Sequence, residues 1–208
     1  MGHNGSSTCG LSFDNVRMPR KNLIGNPGDG LKVLLASLNK SRPSIAAHAR
    51  GIARAAFTDM VKYSNERMQS GQTVLDFQGN QFTLADLACE LAMLERWLDY
   101  VAELVDGGDE DFGVEASVAK LRASDLAMKM ATECVQFHGG YGYCRGYRAE
   151  RLMRDAKITQ IWEGTNQIHR QLIGRSFRWK LSSGGGSNIR AMPEKPNVKE
   201  SITRARCA

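Results

Sequence analysis

The 208-residue sequence predicts an all-α protein: an antiparallel, up-down helical bundle with a short N-terminal strand remnant and a disordered C-terminal tail. Three observations support this fold class. Long stretches carry apolar residues at helical spacing, the connections between them are short, and 42% of the residues are hydrophobic, which suits a packed core. No apolar run approaches the ~20 residues of a membrane span, so no transmembrane segment is expected.

The first element is a strand at Leu11–Pro19, where apolar and polar residues alternate weakly until Pro19 ends the pattern. A lone strand exposes an unpaired edge, so it is not expected to be stable by itself. The cluster of Asn, Pro, Asp and Gly at residues 26–30 predicts a turn.

Two long helices follow the turn. The first is predicted from Leu31 to about Gln69, and Pro43 within it should kink the helix near Arg42 because proline lacks a backbone N–H. Phe77–Phe82 is interpreted as a connection. The second helix is predicted over Leu84–Val105 because its leucines form one apolar stripe. The stripe comprises Leu84, Leu87, Ala88, Leu91, Leu94, Leu98 and Val101.

The third helix is predicted over Val114–His138, and its small side chains would let neighbouring helices approach closely. A turn at Gly139–Gly142 ends it. A short helix is expected at about Glu150–Lys157, and a last one at Thr165–Phe177. The stripe of small and apolar residues on the third helix comprises Ala116, Ala119, Ala123, Leu126, Ala127 and Met130.

The net charge of +6 is carried by the C-terminal tail. Residues 178–208 hold seven Lys or Arg and two Glu, which leaves 21 basic and 20 acidic residues in the rest of the chain. Nucleic acid is therefore not an expected partner. From Ser182 onward the sequence is rich in Ser and Gly and lacks periodicity, so we predict that the tail is disordered.

Cysteine and histidine usage excludes the common metal and disulfide frameworks. The five cysteines are odd in number, contain no CxxC pair and are accompanied by only four histidines. Neither a zinc site nor a disulfide scaffold is supported, so no metal is expected, and a reducing compartment fits. The first ten residues also lack the apolar core of a signal peptide.

Two dense motifs carry the functional signal. In Ile158–Arg175, the acidic Glu163 precedes Gly164 and Thr165, and an apolar-periodic helix then begins. A carboxylate followed by Gly and by a Thr that can cap the next helix is a residue held on a turn. The second motif is QFHGGYGY at Gln136–Tyr143. By themselves, both motifs also fit ordinary tight turns beside a helix start.

Taken in order, QFHGGYGY and ERLMRDAKITQIWEGTNQIHR resemble the carboxyl-terminal signature of the acyl-CoA dehydrogenase family. The resemblance extends upstream through SRPSIAAHARGIARAAF, YSNERMQSGQTVLDFQ and LSFDNVRMPRKNLIG, and covers roughly the first 177 residues. It implies a remnant of the family's middle β domain at residues 1–25, the C-terminal helical bundle at 26–177 and a disordered basic tail at 178–208. The chain is thus expected to begin near the end of the β domain.

The resemblance implies FAD-dependent α,β-dehydrogenation of an acyl-CoA thioester. Glu163 stands at the family's catalytic-base position and would abstract the α-proton, while the β-hydrogen passes to flavin as hydride. Some relatives place the base immediately before the arginine of the long helix. That position is Ser41 here, which cannot replace a carboxylate, so Glu163 is the one candidate base that the resemblance implies. From the residues alone, Glu163 could instead be a solvated acid that favours the following helix N-terminus.

Six further positions match family contacts to FAD. They form three pairs: Arg67 and Gln78, Gln136 and Gly140, and Thr165 and Gln167. The arginine fork of the first pair suits phosphate, the glycine of the second lets backbone approach a ligand, and the third pair lies at a helix N-terminus. From the residues alone, these features could instead be an exposed arginine, a helix stop and an ordinary cap. Arg42 and Arg175 match positions near the polar part of CoA.

The expected partners follow from the same resemblance. They are an acyl-CoA substrate, an electron-transferring flavoprotein as acceptor, and either further copies of this chain, as a dimer or tetramer, or a partner chain carrying the amino-terminal half. The bacterial cytoplasm or the mitochondrial matrix is the expected compartment. Two other functions stay open: a non-catalytic helical subunit that completes a partner's FAD site, and a flavin oxidase or monooxygenase of the same fold.

Overall fold

The computed structural model describes residues 1–109 and 111–177. Over these residues the chain is built of six α-helices and one hairpin of two short strands, which confirms the predicted all-α bundle. The predicted disordered tail at 178–208 lies outside the described residues. The elements are α1 (Gly30–Glu66), β1 (Met68–Gln69), β2 (Gln72–Thr73), α2 (Gln78–Asp106), α3 (Gly113–His138), α4 (Gly140–Tyr143), α5 (Arg148–Thr159) and α6 (Asn166–Ser176).

Helix α3 is the centre of the bundle, and it contacts each of the other five helices. Its largest contact is with α1, where both helices present alanines that are fully buried. Small side chains let the two helix axes approach closely, as the sequence predicts. These fully buried alanines include Ala46, Ala49, Ala53 and Ala56 on α1, and Ala116, Ala119, Ala123 and Ala127 on α3.

Helix α2 begins six residues earlier than predicted. The interpretation of Phe77–Phe82 as a connection is wrong, because α2 starts at Gln78 with Phe77 as its N-cap. A capping box between Thr73 and Asp76 forms a 3-10 turn that brings the chain into helical geometry before the apolar stripe begins. Downstream of that start the predicted stripe is confirmed, with five of its seven residues buried.

The first helix ends at Glu66 rather than at Gln69. Ser70 and Gly71 both have positive φ angles, of 53° and 82°, which is the geometry of a type I′ hairpin turn. The turn pairs Met68–Gln69 with Gln72–Thr73 in an antiparallel ladder and so ends α1. Helix α1 is continuous through Pro43, and the kink near Arg42 stays a prediction.

The strand expected at Leu11–Pro19 does not form, and this prediction is wrong. Leu11 and Phe13 are 79% and 77% exposed, so the segment packs against nothing in the described chain. A strand needs a neighbour that accepts and donates its ladder hydrogen bonds, and the described residues pair none with this segment. The assignment of residues 1–25 to a β-domain remnant stays a prediction.

The C-terminal elements follow the predicted order. Helix α3 begins one residue before its predicted start, α5 extends two residues beyond each predicted end, and the expected glycine turn holds the single helical turn α4. Across the described part of the chain, none of the helices combines the length and apolar character that crossing a bilayer requires. The turn between α5 and α6 carries Glu163 and positions the candidate site.

Candidate active site

Glu163 lies on a strained turn between α5 and α6. Its φ is +55°, and that of the following Gly164 is +93°. A left-handed backbone costs a non-glycine residue about 1–3 kcal/mol and persists only where the surroundings fix it. The turn is closed by a hydrogen bond of 3.0 Å from the Asn166 N–H to the Gln160 carbonyl. The predicted carboxylate held on a turn is confirmed.

Two buried side chains hold consecutive carbonyls of this turn. The Lys120 ammonium donates a hydrogen bond of 2.7 Å to the Gly164 carbonyl, and His169 Nε2 donates one of 3.2 Å to the Glu163 carbonyl. Lys120 and His169 are both 0% exposed. Hydrogen bonds from charged donors contribute about 1.5–3 kcal/mol, so the Lys120 contact alone matches the strain at Glu163.

Lys120 also begins a buried polar network. Its ammonium lies 2.9 Å from Asn166 Oδ1, which fixes the orientation of that amide. The Asn166 amide nitrogen then donates to Ser124 Oγ at 2.9 Å and to Asp125 Oδ1 at 2.7 Å. Arg170 donates to the other Asp125 oxygen at 2.7 Å. The network joins the middle of α3 to the first turns of α6.

Burial shifts the protonation equilibria of the two side chains that hold the turn. It lowers the pKa of Lys120 to about 8, although the nearby Asp125 and Glu163 carboxylates oppose the shift. Burial also lowers the pKa of His169 to about 4, and the positive charges of Lys120 and Arg42 act in the same direction. At pH 7 Lys120 is therefore mainly protonated and His169 is neutral.

The Glu163 carboxylate is held from α1. Ser41 Oγ lies 2.5 Å from Glu163 Oε2 and donates its proton to the carboxylate. The next residue, Arg42, is 6% exposed, and its guanidinium donates to Asn39 Oδ1 at 2.6 Å. Burial lowers the pKa of Arg42, while the negative charge of Glu163 opposes this. The structure thus joins the predicted base to Arg42, one of the two predicted CoA contacts.

Arg175, the other predicted CoA contact, is exposed in the last turn of α6. It is not part of the hydrogen-bonded cluster around Glu163. Thr165 and Gln167 lie beside the strained turn. Thr165 is the N-cap of α6, and its hydroxyl accepts a hydrogen bond of 3.4 Å from the Ile168 N–H; Gln167 is exposed in the first turn of that helix.

A separate open cleft of about 520 Å³ brings together three of the predicted FAD residues, Arg67, Gln136 and Gly140. The hairpin after α1 positions Arg67, whose carbonyl accepts a hydrogen bond of 2.9 Å from the Val74 N–H. The Arg67 guanidinium lies 5.9 Å from the centre of the Tyr141 ring. Gln78, at the first position of α2, is exposed and does not line the cleft.

The lining of this cleft fits the phosphate-bearing part of a dinucleotide. An arginine fork and an exposed glutamine can donate to phosphate oxygens, and Tyr141 offers an aromatic face. Apart from its chain neighbours and its own helix backbone, no atom lies within 4 Å of the place where a side chain on Gly140 would begin, so this glycine borders open space. The cleft and the turn of Glu163 are distinct sites on the bundle.

The N-terminus covers one side of Trp162, the residue before Glu163. The rings of His3 and His48 lie 5.2 Å and 5.7 Å from that of Trp162. The backbone N–H of His3 donates to Asp155 Oδ1 at 2.6 Å, which fixes the first residues against α5. Burial lowers the pKa of His48, His3 acts in the same direction and Asp155 opposes it.

Sequence reasoning missed Lys120, although a signal was present. Lys120 follows Ala119 and lies one turn before Ala123 and Ser124, on the buried face of α3. A lysine inside a stripe of small residues needs a buried acceptor, because an uncompensated charge in a core is unfavourable. The contact of His169 with the Glu163 carbonyl was not foreseen either.

Comparison with known proteins adds a family match. Residues 28–177 match the model of the acyl-CoA dehydrogenase C-terminal domain. An acyl-CoA dehydrogenase of Bacillus subtilis is 46% identical over 175 residues, which are 84% of this chain and 46% of that protein. The chain therefore spans about half the length of that relative.

Two solved structures are also similar to the chain. Butyryl-CoA dehydrogenase from Megasphaera elsdenii has a TM-score of 0.77 and 41% identity, over 79% of this chain and 43% of that one. An acyl-CoA dehydrogenase from Bacillus anthracis, complexed with FAD, has a TM-score of 0.70 and 29% identity, over 77% of this chain and 30% of that one.

Proposed function

The chain belongs to the acyl-CoA dehydrogenase family, and from this premise we propose that it supplies the catalytic-base side of a site for FAD-dependent α,β-dehydrogenation of acyl-CoA thioesters. The observation that carries the proposal is the arrangement of Glu163. Its carboxylate is half-buried, bonded to Ser41 and next to the buried Arg42, while its backbone is held in a strained conformation. An acid that only favoured a helix N-terminus would need none of these supports.

In the proposed reaction Glu163 takes the proton from the carbon next to the thioester carbonyl. The electron pair of that C–H bond becomes the second bond between the α and β carbons, and the β-hydrogen leaves as hydride. FAD, when bound, supplies the two-electron acceptor for this hydride. Ser41 holds the carboxylate in one orientation before the transfer.

The cofactor contacts divide into two groups. We propose that Arg67, Gln136 and Gly140 bind the phosphate-bearing part of FAD in the cleft, because they line it together. Thr165 and Gln167, beside the base, would contact the cofactor near the reacting carbons, and Gln78 would complete the phosphate contacts from the start of α2. Since the cleft and the base turn are distinct, a homo-oligomer in which one FAD contacts two copies accommodates both groups.

The substrate and acceptor assignments are proposals of the same kind. The buried Arg42 and the exposed Arg175 would both meet the polar part of CoA. An electron-transferring flavoprotein is the proposed acceptor. A second candidate function is a helical subunit that completes a partner's FAD site without turnover; it is favoured by the openness of the Arg67 cleft, which the described chain leaves uncovered.

The proposal is tested by the visible spectrum of the full chain with FAD, recorded before and after saturated acyl-CoAs of short, medium and long chain are added. The chain is examined alone and after co-expression with the amino-terminal half of the B. subtilis relative. We expect bound flavin to bleach with at least one acyl-CoA. Glu163→Gln should retain flavin and abolish bleaching, whereas Glu103→Gln, an exposed acid on α2, should behave as the wild type.

Two outcomes would contradict the proposal. Bound flavin that no acyl-CoA bleaches in either preparation would favour the non-catalytic subunit. Bleaching by Glu163→Gln at the wild-type rate would remove the base assignment.

A further inference from the structure

We propose that Lys120 is a positioning residue for Glu163: by holding the Gly164 carbonyl and the Asn166 amide, its ammonium fixes the direction in which the Glu163 carboxylate points. The inference deepens the proposed function and rests on it for the role of Glu163 as base. The claim that Lys120 holds the turn does not depend on that role.

The peptide units on the carboxyl side of Glu163 are held by two buried side chains. The Glu163 carbonyl is bonded to His169 and the Gly164 carbonyl to Lys120, so two consecutive peptide planes are fixed by buried side chains of α6 and α3. The plane bonded to His169 sets the ψ of Glu163 directly, and the plane bonded to Lys120 restrains it through Gly164. If the Lys120 bond were lost, the turn could relax from the strained φ = +55° of Glu163, and its carboxylate would point elsewhere.

Lys120 places a charged side chain at a fully buried position. Burying an ammonium is unfavourable unless its hydrogen bonds are well made, and an apolar side chain of similar volume often packs as stably. A residue that only filled the space between α3 and α6 would therefore not need a charge. The two acceptors of Lys120 are the Gly164 carbonyl and the Asn166 amide oxygen, and both belong to the segment that carries Glu163 into α6.

Lys120 lies among titratable groups of its own helix and of three other segments. It faces Asp125 on its own helix, Arg42 on α1, Glu163 on the turn and His169 on α6. Since burial lowers the pKa of Lys120 to about 8, its bond to Gly164 changes from a charged to a neutral donor in mildly alkaline solution. The turn should respond to this change, and the response can be observed without substrate or cofactor.

The sequence offers two unique probes of the turn. Glu163–Gly164 is the only Glu-Gly pair in the chain, and Gly164–Thr165 is the only Gly-Thr pair. Carbonyl-13C glutamate with 15N-glycine therefore gives one carbonyl–nitrogen correlation for the first peptide unit, and carbonyl-13C glycine with 15N-threonine gives one for the second. Carbon-detected NMR follows both signals in the full chain across the alkaline range, where amide protons exchange with water.

We expect both correlations of the wild type to move together with a midpoint near pH 8. Lys120→Met should displace both signals at neutral pH and abolish the alkaline transition. Lys129→Met, an exposed lysine of the same helix that is paired with Glu90, should change neither. If Lys120→Met does not fold, the wild-type titration still shows whether both peptide units of the turn respond near pH 8.

Two results would overturn the proposal. In the first, neither signal moves around pH 8 in the wild type. In the second, the Gly164–Thr165 signal responds to pH or to Lys120→Met while the Glu163–Gly164 signal does not; Lys120 would then bond to the turn without positioning Glu163.

Kinetics separate this proposal from the proposed function. In the preparation that bleaches with acyl-CoA, Lys120→Met should lower kcat about 10- to 100-fold at unchanged KM, since misplacing a catalytic group reduces the rate more than binding. Lys120→Arg, which keeps the charge, should recover part of the loss. If the wild type never turns over, the proposed function fails, and the two NMR signals still decide whether Lys120 positions Glu163.

Discussion

Ser41 Oγ lies 2.5 Å from Glu163 Oε2, although 122 residues separate the two along the chain. The contact joins α1 to the turn before α6 and holds the carboxylate end of Glu163. Lys120 and His169 hold the backbone next to it from α3 and α6. The candidate base is thus fixed at both ends by three different helices, which makes the contribution of each separately measurable.

Ser41→Ala should lower the rate of flavin reduction by acyl-CoA about tenfold, since a hydrogen bond to a charged group contributes roughly 1.5 kcal/mol or more. FAD binding and the midpoint of urea unfolding should hardly change. Rapid-mixing kinetics of flavin bleaching measure the effect. Ser44→Ala, an exposed serine of the same helix, is the matched control. A Ser41→Ala rate equal to that of Ser44→Ala would show that the contact does not orient the base.

Gly164→Ala should destabilise the protein by about 1–2 kcal/mol, the cost of a side chain in left-handed backbone. The φ of Gly164 is +93°, and a β-carbon there would lie 3.3 Å from His169 Nε2. Gly174→Ala is the control, because this glycine lies inside α6 with open space around it. That variant should gain about 0.5–1 kcal/mol, since alanine favours helix. Urea unfolding measures the change in the free energy of unfolding for both variants. Equal changes would contradict the strain assigned to a side chain at position 164.

The sequence predicts what depends on short-range periodicity. The apolar stripe of α2 and the small-residue stripe of α3 each repeat along one helix. Five of the seven residues of the α2 stripe are buried, and all six of the α3 stripe are. The start of α2 at Gln78 was missed because the Thr73–Asp76 capping box stands before any apolar periodicity. The strand at Leu11–Pro19 failed because alternation does not supply a partner strand.

At the candidate site, too, the local motif could be predicted from the sequence but its distant partners could not. The motif around Glu163 marks the turn, and its Gly and Thr identify the helix start that the structure confirms. What holds the turn comes from far away in sequence: Lys120 is 44 residues from Gly164. A single lysine among alanines has no periodic signature, so its acceptor becomes known only when α3 and α6 are packed together.

Arg67→Ala should weaken FAD binding about 10- to 100-fold, because charge-assisted bonds to phosphate contribute roughly 1.5–3 kcal/mol. Arg67→Lys should restore only part of the affinity, since lysine cannot form a two-pronged contact. Titration of the apoprotein with FAD, followed by flavin fluorescence, measures both. Arg96→Ala, an exposed arginine of α2 paired with Asp99, should bind FAD as the wild type does. Equal affinities for Arg67→Ala and Arg96→Ala would remove the cleft from the cofactor site.

His169 makes the stability of the bundle depend on acidity. Its pKa is lowered from the ordinary 6.5 to about 4 in the folded chain. The unfolded chain therefore takes up the proton first on acidification, so the contribution of neutral His169 is fully present above about pH 6.5 and is lost as the pH falls toward 4. His169→Gln keeps an N–H that can reach the Glu163 carbonyl but does not titrate.

We accordingly expect His169→Gln to be less stable than the wild type at pH 7, because the imidazole packing is lost, and the difference to shrink or reverse at about pH 4.5. Urea unfolding at several pH values gives the free energy of unfolding of each protein. Gly174→Ala contains no change in titrating groups, so its difference from the wild type should not vary with pH. A His169→Gln difference that is equally constant would mean that His169 is protonated at the same pH in the folded and unfolded chains. Its bond to the Glu163 carbonyl would then survive acidification, and the turn would keep its geometry at low pH.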